Sequence, residues 1–394
     1  MTVTRRVVFN AAGALMLGEA VPAAAAGRAS NPRLPVRMSL GTQEPTSEEN
    51  FQRFQRYGIR NVCGWYKIRE EGRLYPTVEE LSVVKALGEK YGISIDMTDS
   101  DIGRGAGSAI MRGGAQRDRE IEAFQKTIEN CAAAGIPAIK YYLSILPILR
   151  MDRVRGRGDA LYSRWNYAAL AAPNGDRLLA PRDAAEIVKI REAYAGFDSD
   201  TFWERITYFL ERVVPVANQY KVRLAQHPHD PGMPPAGLAG IPNVLGSFEG
   251  LKRFIAIQES AYHGLNFCQG TVCENLDNPR RDLASVIRYF GERHKIFNVH
   301  FRNIKGHRDD FVAECFPDDG DIDLGAAVRA YRDVGYDGML MPDHIPAFDA
   351  RNLSPDAVRS VQDQSFAFAY GYIRALLQEA RAEARLSARQ TRCL

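Results

Sequence analysis

Eight short β-like runs recur along the chain, separated by helix-like segments, and this alternation restricts the fold more than any other feature. The runs are VRMSLG (36–41), NVCGW (61–65), SIDMT (94–98), AIKYYL (138–143), VRLAQH (222–227), GLNFCQ (264–269), IFNVHF (296–301) and GMLMPD (338–343). Between them lie stretches such as EELSVVKALGEKYG, REIEAFQKTIENCAAAG, DTFWERITYFLERVVPVANQY and LGAAVRAYRDVG. Their apolar residues return at i, i+3, i+4 and i+7, the period of an amphipathic helix. Gly92, Gly135 and Gly335 stand where such helices end, just ahead of the next strand, as expected for caps in the left-handed conformation. Eight β-α repeats predict an α/β fold closed as a single (β/α)8, or TIM, barrel. A doubly wound open sheet is the competing arrangement of the same elements.

The barrel is read over 31–377, with two parts beyond a minimal barrel. Residues 150–196 form a long insertion after the fourth strand, at the end where barrel active sites lie, and are placed to act as a lid. Residues 378–394, QEARAEARLSARQTRCL, make a charged tail with few apolar anchors, expected to fray or to dock as a polar helix. At the other end, Arg5 and Arg6 precede a moderately apolar run and the small residues Ala23 to Ala26. Residues 1–30 therefore read as a twin-arginine export signal and predict a periplasmic protein. Asn10 and Glu19 interrupt that run, which is too short to span a bilayer.

Fifty-one basic residues against 48 acidic ones leave a net charge of +3, which gives no electrostatic basis for binding nucleic acid or a membrane surface. The expected partner is a small molecule, with local arginines available for an acidic one, and a homo-oligomer is compatible with the composition. Six cysteines would permit disulfides in an oxidising compartment, but their spacing matches no small disulfide scaffold and leaves any pairing open.

Chemistry gathers at the ends of the fifth to eighth runs. His227 ends RLAQH, Cys268 lies in NFCQG, His300 in NVHFR, and Asp343 ends LMPD. Alone, such a histidine is more often a core or rim residue and such a cysteine a small buried hydrophobe. Four on consecutive strands of a barrel converge on one cavity. Two imidazoles, a thiolate and a carboxylate suit a divalent transition ion such as Mn2+, Fe2+, Co2+ or Zn2+. Nearby groups take plainer readings. His229 and Asp230 read as turn residues, the histidine facing solvent. Cys273 lacks the second cysteine pair of a zinc site. Arg150, Arg153 and Arg155 either clamp a carboxylate or form a solvated basic loop. Glu249 and Glu274 are outer partners of a metal site or ordinary carboxylates. GRGAGSAIMRGG (103–114) lacks a phosphate-binding pattern and reads as a mobile loop after the third strand.

The motifs HPHDP, FCQGT, VHFRN and PDH, in that order and spacing, resemble the metal-site motifs of mannonate dehydratases, lyases with a xylose-isomerase-like barrel. The likeness is clearest from Val222 to Ile345 and weaker upstream. It implies dehydration of D-mannonate to 2-keto-3-deoxygluconate with Mn2+ or Fe2+. It implies metal ligands at His227, Cys268, His300 and Asp343, an acid/base role for His344, and a place near the substrate for Arg302. The chain departs from the family at three points. Met341 stands where an arginine precedes Pro-Asp-His, and Arg150-Met151 where an Asp-Trp pair follows the fourth strand. Ala367 stands where a catalytic tyrosine is expected, which leaves Tyr372, Tyr370 and Tyr142 as candidates, Tyr372 being the one assigned to the site.

The reaction implied begins with removal of a proton α to a carboxylate, which needs a cation to stabilise the resulting dianion. A base and an acid with pKa values tuned toward neutrality then serve C2 and the departing C3 hydroxyl. Besides this sugar-acid hydro-lyase, a metal-dependent sugar isomerase or epimerase and a non-catalytic periplasmic sugar-binding protein fit the same residues.

Overall fold

Eight parallel strands follow one another round a closed ring in the computed structural model, which describes residues 35–349 and 353–392. They are β1 (Ser39–Gln43), β2 (Asn61–Gly64), β3 (Ser94–Asp99), β4 (Ala138–Tyr141), β5 (Arg223–Gln226), β6 (His263–Cys268), β7 (Ile296–His300) and β8 (Met339–Met341). Ser39 and Leu40 of β1 register with Met339 and Leu340 of β8, and this pairing excludes the open sheet. Each strand overlaps the run expected for it, with β1 displaced toward the C-terminus. The export signal expected at 1–30 lies outside the described residues.

Local chemistry accounts for the helix boundaries. Thr77 and Glu80 form a capping box at the start of the helix Val78–Tyr91, which ends on Gly92 at φ 63, a conformation glycine adopts without a Cβ clash. Asp198, Ser247, Asn278 and Asp323 cap later helices by accepting from the backbone N–H three residues on. Outward residues of the strands, including Ile139, Leu224, Leu265, Val299 and Leu340, join helix residues such as Phe124, Phe209, Phe254 and Phe290 in the main core. Inward residues Cys63, Met97, Ala225, Phe297, Met339 and Met341 form a separate apolar cluster that fills the barrel. Met341, one of the departures from the family pattern, is part of this filling and fully buried.

The insertion forms part of a second sheet. Its strands at Arg153–Arg155 and Leu161–Asn166 join the hairpin Lys305–His307 and Asp310–Ala313, which follows β7, in one four-stranded antiparallel sheet. Ala313 registers with Ser163 across 150 residues of sequence, a pairing with no local signature.

Position 378 is not an element boundary, for one helix spans Pro355–Arg392. Its residues Tyr370, Ile373, Leu377 and Ala380 are buried, and Arg332 Nη1 meets Glu383 Oε2 at 3.0 Å. Five cysteines among the described residues are buried and unbridged. No helix among the described residues is long and apolar enough to cross a membrane.

Candidate metal centre and active-site cleft

The carboxyl ends of all eight strands reach one rim of the barrel, and there β5 to β8 each present one donor residue. His227 follows β5, Cys268 ends β6, His300 ends β7, and Asp343 lies two residues past β8. One potential ligand atom from each falls within 4.8 Å of the others. Cys268 and His300 are fully buried and His227 nearly so.

The surroundings fix how each group can act. His227 Nδ1 lies 2.7 Å from the Pro228 carbonyl oxygen, which can only accept, so Nδ1 carries the proton and Nε2 keeps its lone pair. Burial lowers the pKa of this ring and keeps it neutral. His300 Nδ1 is buried without a hydrogen-bond partner, 3.1 Å from Asp343 Oδ1. For Asp343, burial opposes the charge, but His300, His344 and Arg302 outweigh it and hold the carboxyl well below the usual range. Thr271 Oγ1 and Arg302 Nη2 flank Cys268 Sγ at 3.1 and 3.6 Å. A buried imidazole nitrogen grouped with a thiol, a carboxylate and a second imidazole, with no aligned hydrogen bond of its own, fits a divalent cation held between them.

Several side chains differ from their sequence readings. Arg302 does not line the cleft: it is buried behind the four donors, with Nη2 3.1 Å from both Asp230 Oδ2 and Glu274 Oε1. A Cβ on Gly270 would lie 2.3 Å from its Nε, so glycine is what admits the guanidinium here. Asp230 is no free turn residue, because Arg150 meets it through two nitrogens at 2.6 and 3.3 Å. Arg150 also donates from Nε to Glu314 Oε1 at 3.0 Å. It therefore clamps carboxylates of its own chain, while Arg153 and Arg155 are exposed. His229 does not face solvent: its ring nitrogens contact Asn243 Oδ1 and the Leu143 carbonyl at 3.0 and 2.8 Å, and burial takes its pKa down to about 4. Glu274 is buried against Arg302, whereas Glu249 pairs with Lys252 at the surface. Cys273 is buried and apart from the four donors.

Above the donors opens a cleft of about 680 Å³. The half of the rim built by β1 to β4 supplies its other wall through Gln43, Asp99, Arg104, Lys140 and Tyr142. Lys140 Nζ lies 2.5 Å from Gln43 Oε1 and 3.2 Å from Asp99 Oδ2, and Gln43 Nε2 donates to Asp343 Oδ1 at 2.8 Å. Burial opposes the lysine's charge, but Asp99 and Tyr142 outweigh it and raise its pKa. Arg104 lies over the Tyr142 ring at 4.0 Å, and that ring stacks on His227 at 5.0 Å. Gln43, Asp99, Arg104 and Lys140 were missed in the sequence, although a lysine inside the buried run AIKYYL was a signal for one of them.

His344 also lines the cleft, its side chain 39% exposed, with Nε2 3.5 Å from Asp343 Oδ2. Tyr372 does not join it. That ring stacks on Phe368 at 6.4 Å and is absent from the cleft wall, because its helix turns it away from the rim. Tyr370 Oη is held by Thr42 Oγ1 at 2.8 Å within the core. Of the three tyrosines considered, Tyr142 is the one on the cleft.

The D-mannonate dehydratase (UxuA) family model matches residues 49–382. The mannonate dehydratase of Thermotoga maritima is 29% identical over 307 residues, covering 73% of this chain and 82% of that protein. That of Shouchella clausii is 29% identical over 309 residues, with coverages of 73% and 82%. In three dimensions the chain is similar to the crystal structure of a mannonate dehydratase from Streptococcus suis serotype 2, with a TM-score of 0.72 and 22% identity, over 88% of this chain and 96% of that one. The family match spans the barrel strands β2 to β8, the insertion and the donor-bearing rim, and the chain thus belongs to the D-mannonate dehydratase family of hydro-lyases.

Proposed function

We propose that the protein is a metal-dependent hydro-lyase that removes water from a sugar acid such as D-mannonate, leaving a 2-keto-3-deoxy sugar acid. The observation that carries this reading is the convergence of four donors within 4.8 Å at the base of a cleft whose opposite wall carries Lys140 and Arg104. His227, Cys268, His300 and Asp343 would hold the ion, Mn2+ or Fe2+ ahead of Co2+ or Zn2+. When bound, the ion supplies Lewis acidity toward the substrate's carboxylate and hydroxyl oxygens. Two relatives named mannonate dehydratase support the substrate class.

The chain's own residues divide the remaining work. Lys140 and Arg104 line the cleft and suit the substrate carboxylate, whose negative charge grows as the C2 proton leaves. His344 is exposed in the same cleft and is placed to exchange a proton with substrate. Tyr142 lines the same cleft and stacks on His227, which places its phenol as the candidate acid toward the C3 hydroxyl. We further propose, from Arg5-Arg6 and the run behind them, that the enzyme works in the periplasm. Fractionation of a host expressing the full chain tests that placement.

The test of function is incubation of protein loaded with Mn2+ or Fe2+ with a panel of aldonic and uronic acids. A product one water lighter, carrying a 2-keto group, is the expected outcome. A product of unchanged mass would instead make it an isomerase or epimerase, and binding without any product a sugar-binding protein.

A further inference from the structure

His344 stands between two carboxylates that come from different parts of the fold. Asp343, its neighbour in sequence, lies 3.5 Å from Nε2 and is itself engaged by His300, Gln43 and Arg302. Glu314 approaches from the other side, with Oε1 3.8 Å from His344 Nδ1. Glu314 follows the last strand of the hairpin after β7, in the antiparallel sheet shared with the insertion.

Three observations show that the sheet holds this carboxylate in place. Arg150 Nε donates to Oε1 at 3.0 Å, and Ser163 Oγ donates to Oε2 at 2.5 Å. The register that sets Ala313 opposite Ser163 brings that hydroxyl to the site. The backbone of Glu314 also sits at φ 59, in the left-handed region. A non-glycine residue there is strained and persists where surrounding structure over-determines it. Its side chain is largely buried, so the carboxylate is aimed rather than solvated.

Among the described residues, none gives the half-exposed imidazole of His344 a comparable anchor. We infer that Glu314 is a positioning residue for His344, holding Nδ1 as the protonated nitrogen and leaving Nε2 to exchange a proton with the substrate. The logic is that of a base oriented by a carboxylate on its far nitrogen. This inference rests on the hydro-lyase reading for its kinetic consequence but not for the ring geometry. It also joins the insertion and the hairpin in one role, since Arg150 and Ser163 from the insertion fix a hairpin carboxylate against a residue beyond β8.

The experiment combines Glu314→Gln, His344→Asn and the double variant in the full chain. In Glu314→Gln, kcat falls about 10–100-fold, the range for groups that orient an active residue, while KM stays within about 2-fold and metal content is unchanged. In the His344→Asn background the same substitution has no further effect, because Glu314 acts through the ring. Multiplying losses in the double variant would overturn the inference. A second arm reads the ring without turnover, from long-range 1H–15N spectra of histidine-labelled, Zn2+-loaded protein, with His344 identified by its loss in His344→Asn. Wild type shows Nδ1 protonated, and Glu314→Gln shifts the tautomer balance; unchanged ring signals would overturn the inference. Glu314→Asp, which keeps the charge but draws it back by one methylene, gives an intermediate effect in both arms and serves if the glutamine variant does not fold. If the wild type dehydrates no sugar acid, the hydro-lyase reading fails and the spectra still decide the role of Glu314.

Discussion

Around the barrel rim, β5 to β8 and β1 to β4 build opposite walls of one cleft by different means. The first set offers one donor atom per strand, from His227, Cys268, His300 and Asp343, packed within 4.8 Å. The second offers Lys140, Asp99 and Gln43, linked by contacts of 3.2 and 2.5 Å, with Arg104 beside them. Each donor on the first wall has a partner behind it, such as the Pro228 carbonyl for His227 or Thr271 and Arg302 for Cys268. On the second wall the charged groups themselves face the cavity. On the proposed function, the first wall would hold a cation and the second the substrate's carboxylate. Gln43 Nε2 links the two walls by donating to Asp343 Oδ1 at 2.8 Å.

If the division of labour is real, Cys268→Ser on the first wall produces the largest effect. Metal affinity is expected to fall by at least about 100-fold, more than for loss of an outer partner, with turnover lost in step; elemental analysis after dialysis reads it. Full occupancy in that variant would break the comparison at its strongest point.

Lys140→Met on the second wall is expected to leave the metal in place and to lower kcat for a sugar acid by about 100-fold, in line with removing one electrostatic stabiliser. Loss of metal in this variant would show that the walls act as one unit through Gln43. Retained turnover would move the anion site to Arg104.

The smallest effect is one of stability and concerns His229, which joins the walls by bonding Asn243 beyond β5 and the Leu143 carbonyl beyond β4. Its folded pKa is about 4 against an ordinary 6.5. The unfolded ring therefore takes up a proton at a pH where the folded ring does not. The contribution is complete above pH 6.5 and is lost as pH falls toward 4, amounting to on the order of 3 kcal/mol. Urea midpoints measured at neutral pH and near pH 4.5 are expected to differ less for His229→Gln than for wild type. An equal shift in both proteins would show that His229 does not link the two walls in this way.

How far the sequence could be read depended on whether a residue's environment is set by its own strand. The donors of β5 to β8 were legible because a closed parallel barrel brings consecutive strand ends to one place, so position along the strand is enough. Lys140 was passed over inside AIKYYL, because strand periodicity does not tell a cavity-facing lysine from one that only crosses the barrel wall. Arg302 was placed beside the substrate on the strength of the family pattern, whereas packing through Gly270 sets it behind the donors. Tyr372 was assigned to the site from its distance to Ala367, but the helix Pro355–Arg392 determines which way a ring points, and it points Tyr372 toward Phe368. Glu314 and Ser163 carried no signal at all, since the sheet that joins them pairs segments far apart in the chain.

The amino-acid order alone determined the β-α alternation, the strand ends that carry the four donors and the family pattern around them. Those features depend on periodicity and on neighbours a few residues away. The tertiary structure alone decided which cations face the cleft, which arginines serve only their own carboxylates, and which glutamate stands beside His344. Buried charge is tolerated only where partners from distant segments close around it, and no local pattern specifies which segments those will be.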